Sequence, residues 1–155
     1  MALDNMLILF VLKLGLLCFW GLWFFIAFST NACEGFKALK LFSKTWPFAS
    51  GNLHEVIQST KTYSLPRWLP RLFFSGVLLW ELVIVSCFGW AIMSSAINGA
   101  INTVLVNTAF VAGLGLWGGF IIADEIFKQY DTEHSHILFF IAQLVTLATF
   151  YVLPS

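Results

Sequence analysis

The sequence predicts an all-α, polytopic membrane protein: one membrane domain over residues 1–155 with four transmembrane helices, and an amphipathic helix lying on the bilayer surface in the first connection. Three observations predict it. Of the 155 residues, 59% are apolar and 10% charged, far from the roughly one half and one quarter of water-soluble domains. Seventeen Phe and seven Trp go with them, side chains suited to hydrocarbon and to its aqueous border. Four apolar runs come near the ~20 residues that a helix rising about 1.5 Å per residue needs to cross a core about 30 Å thick. Lys plus Arg balances Asp plus Glu at eight each, so no excess charge points to nucleic acid. The expected partner is the lipid bilayer, that of a bacterial inner membrane, together with a second membrane protein or another copy of the chain.

The first span covers residues 7–28 and is interrupted only by Lys13. Thr30-Asn31-Ala32 would permit signal cleavage after Ala32, but the stretch before Lys13 is apolar and carries Asp4 rather than a basic cluster, so the span is expected to be retained. The extramembrane connection 29–71 follows. Within it, Glu34 to Trp46 sets Lys37, Lys40 and Lys44 on one side of a helical wheel and Phe36, Leu39, Phe42 and Trp46 on another, the pattern of an interfacial helix. After Pro47 and Gly51, Asn52 with Glu55 three residues on predicts a capping box opening a short helix.

The second span covers 72–93, with Pro70 in its first turn, where a proline loses no helical hydrogen bond. Asn98-Gly99 then predicts a tight hairpin into the third span, 101–122. The fourth covers 136–153, with Asp131, Thr132 and Ser135 as candidate N-caps. Four spans put both termini on one side. Seven of the eight basic residues lie on the other, so the positive-inside rule places the long connection in the cytoplasm.

Glu81 is the most informative position, because an ionised carboxylate at mid-depth in a bilayer costs at least a few kcal/mol. Val77, Leu78, Ile84 and Val85 surround it on its own helix. It is expected to be neutral and to donate a hydrogen bond to a backbone carbonyl or to Asn107, Gln143 or Thr146. It serves either as a proton or cation relay or, more plainly, as a packing residue. Lys13 lies at a different depth and is expected to snorkel to the surface. Gly115, Gly119 and Ala123, flanked by Gly113 and Gly118, make a small-residue stripe that lets another helix approach closely.

Glu125, His134 and His136 carry metal-ligating groups, although acids and histidines at helix ends are ordinarily just solvated. No span carries a mid-membrane His for haem. Cys18, Cys33 and Cys87 have no ligand spacing, and no cofactor is expected.

Short motifs resemble a family of uncharacterised, predicted small four-helix integral membrane proteins. They are Trp80-Glu81, Trp117-Gly118-Gly119-Phe120 with Glu125 and Phe127, and Ser43-Lys44-Thr45-Trp46-Pro47. The chain departs from that pattern at Asp124, Ile126 and Lys128-Gln129-Tyr130. The resemblance implies the opposite orientation, with cytoplasmic termini, and singles out Glu81 and Glu125 without a role. The expected function is that of a non-catalytic assembly component. The alternatives are a small transporter or channel using Glu81 and a metal-dependent membrane enzyme.

Overall fold

The computed structural model describes residues 2–43, 45–63 and 65–154. Among these the chain is all-α, without strands: α1 (Ala2–Ala38), α2 (Asn52–Thr60) running into a 3-10 turn (Lys61–Tyr63), α3 (Leu69–Asn98), α4 (Thr103–Phe127) and α5 (Tyr130–Val152). The helices α1, α3, α4 and α5 are long and apolar enough to cross a membrane.

Each long helix runs antiparallel to its neighbours. Gly21 of α1 faces Phe88 and Ile92 of α3, while Gly35, further along α1, faces Phe74 and Leu78. Phe88 meets Phe110 of α4, and Phe110 meets Phe150 of α5. Long side chains close the ring between α5 and α1, with Trp20 donating to Thr146 and Trp23 packing on Phe139. The core is an aromatic column of Phe24, Phe88, Phe110 and Phe150, with successive ring centroids 5.7, 5.3 and 5.7 Å apart. Trp117 lies beside it, stacked on Phe139 at 5.1 Å.

The helix ends explain where the runs stop. Pro70 sits in the first turn of α3 as expected. The predicted hairpin forms at Gly99, whose φ of +61° suits a residue without a side chain. Asn102 then caps α4 by accepting from the Leu105 N–H. Elsewhere lysine takes the left-handed position. At Lys40 (φ 62°) the Leu41 N–H returns to the Phe36 carbonyl, and at Lys128 (φ 56°) the Gln129 N–H returns to that of Asp124. Both are the six-to-one bond of a Schellman end.

Three expectations need correction. The surface helix Glu34–Trp46 does not form as a separate element. Its first residues are instead the last turns of α1, because nothing after Phe28 breaks that helix and Gly35 packs on Phe74 and Leu78 of α3. The chain turns only at Lys40, and Phe42 then folds back on Phe36 and Trp46 on Phe42. Lys44 lies outside the described residues. Asn52 builds no capping box: Gly51 is the N-cap of α2, and the Asn52 side chain is turned toward α1. Nor do Asp131, Thr132 or Ser135 cap α5, which starts after Gln129 because the Schellman end of α4 leads straight into it.

Candidate functional site

Glu81 is buried (3% exposed) on the face of α3 that meets α1. Its partner is none of the expected groups. Asn31, also buried, donates from Nδ2 to Glu81 Oε1 at 2.7 Å, and Asn31 Oδ1 accepts from Asn52 Nδ2 at 2.9 Å. The two bonds run in one sense, each amide donating toward the carboxyl, so Glu81 is an acceptor in this ladder where a donor was expected. Its second oxygen, Oε2, has no hydrogen-bond partner.

Local chemistry positions each member. Asn31 sits in the late turns of α1, where Ser29 and Thr30 satisfy their hydroxyls on the carbonyls of Phe25 and Ala27. Asn52 is exposed at the start of α2, held against α1 by the Ser50 N–H donating to the Thr30 carbonyl and by burial of Leu53. The ladder therefore leads from a buried acid to the surface at the long connection.

The expected alternatives for Glu81 are engaged elsewhere. Asn107 accepts from the Tyr151 hydroxyl at 2.6 Å, and Thr146 accepts from Trp20 at 3.2 Å. Gln143 is fully buried with neither amide atom hydrogen-bonded, and lies against Gly113. Lys13 does not snorkel. It is buried and donates to the carbonyls of Leu153 (2.9 Å) and Pro154 (3.1 Å), because the last carbonyls of α5 lack helical partners and that end carries the negative pole of the helix dipole.

The possible metal ligands are not brought together. Glu125 and His134 are exposed, and among the described residues no three His, Cys, Asp or Glu side chains converge. His136 instead meets Asp124, Nδ1 to Oδ2 at 2.5 Å, while Thr132 donates to the other carboxylate oxygen at 3.1 Å. The imidazole stacks on Phe120 and Trp117. This arrangement fixes the α4–α5 turn and leaves Asp124 satisfied.

The small-residue stripe divides unexpectedly. Gly113 takes the close internal contact, while Gly115 and Gly119 are exposed and Ala123 is half-buried. A side chain built at Gly119 would meet nothing within 4 Å, and one at Gly115 only the edge of Trp80 at 3.8 Å.

Three of these residues carried no functional reading in the sequence. Asn31 stood in the cleavage motif after the first span and Asn52 in a capping pattern, while Asp124 was only a departure from the family pattern. The available signal for Asn31 was its position: an amide one turn before Gly35 on a helix that continues is a polar group facing a neighbour. Comparison with protein-family models, curated proteins and solved structures finds no match to this chain.

Proposed function

We propose that this protein is a polytopic membrane protein whose four long helices cross a bilayer, and that it serves as a non-catalytic assembly component, packing the outer face of α4 against a helix of another membrane protein. The stripe of Gly115, Gly119 and Ala123 carries this reading, because the chain's own helices leave Gly119 uncovered, touch Gly115 only with the edge of Trp80 and cover Ala123 only in part. Lipid tails do not need a flat helix face, whereas a helix approaching closely does: with little hydrophobic drive between helices in lipid, association rests on backbone proximity and packing. A groove lined by Ser86, Cys87, Trp90, Leu105 and Thr108 extends the same side of the α3–α4 pair toward the hairpin.

The test is disulfide or bismaleimide crosslinking in native membranes from a single cysteine at the exposed Ile122, with Cys18, Cys33 and Cys87 replaced. A discrete adduct is expected, lost when Gly119→Leu fills the stripe while the variant still unfolds like the parent. Mass spectrometry of the adduct distinguishes a second copy from a different protein. A chain that stays monomeric and uncrosslinked in native membranes would overturn the reading.

A further inference from the structure

The ladder from Asn52 to Glu81 has a mouth at one end only. Asn52 is exposed beside the long connection, Asn31 is buried behind it, and Glu81 ends the series with Oε2 unpartnered. Toward the other end of the bundle, Ile84, Phe88 and Ala91 of α3 and Phe24 of α1 are completely buried, and the aromatic column through Phe110 and Phe150 continues. The buried amide further on, Gln143, makes no hydrogen bond that would extend the ladder. A polar seam thus enters from the connection side and stops at a carboxyl under an apolar plug.

We propose that Glu81 is a proton-binding site in equilibrium with water on the long-connection side and sealed from the other. Uptake moves a proton from that water onto Oε2, turning the carboxylate into the acid, while Oε1 keeps its bond from Asn31; release returns the proton to the same side. The amides carry no proton themselves. Their part is to hold polar atoms in line, so that the charged form keeps a donor and water has a route that hydrocarbon denies it elsewhere.

Few ionisable groups face the site. On α1, Glu34 and Lys37 lie one and two turns toward the connection and are 3.8 Å from each other. On α2, His54 and Glu55 are exposed. Toward the connection side α3 carries Arg71, exposed in its first turns, and α4 and α5 carry Asp124 and His136, which are paired with each other; α4 between Thr103 and Ala123 and α5 between Ile137 and Thr149 contain no ionisable residue. None of these groups is hydrogen-bonded to Glu81, whose charge is thus set by access to water. This inference does not depend on what covers the Gly119 stripe.

The experiment uses the full chain in sealed proteoliposomes, acid on one side and alkaline on the other, treated with dicyclohexylcarbodiimide, which reacts with protonated intramembrane carboxyls. Trypsin added outside then cuts, after Lys61, Arg67 or Arg71, only those copies whose long connection faces out, and mass spectrometry reads the Glu81 adduct separately in cut and intact chains. Adduct yield is expected to follow the pH on the connection side in both populations, rising roughly tenfold for each unit of acidification above the midpoint of titration. Glu81→Gln should abolish it. Yields that follow the opposite side, that ignore both, or that never appear at Glu81 would overturn the proposal.

Discussion

Gly113 and Gly119 stand six residues apart on one helix and do opposite things. A methyl group on Gly113 would sit 2.3 Å from Gln143 Nε2 and 2.7 Å from its Oε1, whereas one on Gly119 would meet nothing within 4 Å. The same residue type therefore marks an occupied contact on one face of α4 and an unoccupied one on another. Spacing alone favours the wrong one for internal packing: the four-residue stripe of Gly115, Gly119 and Ala123 looks outward, and the isolated Gly113 holds α5 close.

The largest effect expected from this contrast is at Gly113. Three atoms of the fully buried Gln143 amide lie under 3 Å from that methyl and would have to turn aside within the core, so Gly113→Ala should destabilise the bundle by about 1–3 kcal/mol, as overpacking does. Reversible unfolding in SDS, followed by tryptophan fluorescence, measures it. Adding Gln143→Ala should recover most of the loss, and a neutral Gly113→Ala would mean the contact is loose.

A smaller effect is expected at Gly21. The added methyl would meet Ile92 Cδ1 at 2.9 Å, the mobile end of a side chain, and Phe88 Cβ at 3.4 Å. Partial adjustment against the ~1 kcal/mol that alanine gains over glycine in a helix should leave Gly21→Ala within about 1 kcal/mol of the parent in the same assay. Smallest of all is Gly119→Ala, which should leave unfolding unchanged or stabilise by up to about 1 kcal/mol through helix propensity alone. A clear loss there would show that the outer face is already filled.

What the sequence makes legible is local chemistry. Apolar length gives the four long helices, Pro70 opens α3, and Asn98-Gly99 turns the chain because glycine tolerates the positive φ found there. What it leaves dark is direction. These helices are apolar nearly all round, so no periodic polar face says which side meets which neighbour. Glu81 stood out because a carboxylate in hydrocarbon is costly wherever it points, but finding Asn31 required knowing that α1 stays helical past Phe28 and lies along α3. Asp124 was hidden the same way, since its pairing with His136 depends on a Schellman end that folds α5 straight back. Lysines in left-handed positions, at Lys40 and Lys128, gave none of the warning a glycine would have given.

Lys13 adds a consequence for the order of assembly. Its ammonium reaches carbonyls 140 and 141 residues away, and contacts over such separations wait for the intervening chain to find its place. Without α5 in place the ammonium has no carbonyl partner and must keep its water. Once α5 arrives, its bare carbonyls replace that water and the cation withdraws from solvent. The ammonium thus latches α1 to the end of α5 across the ring.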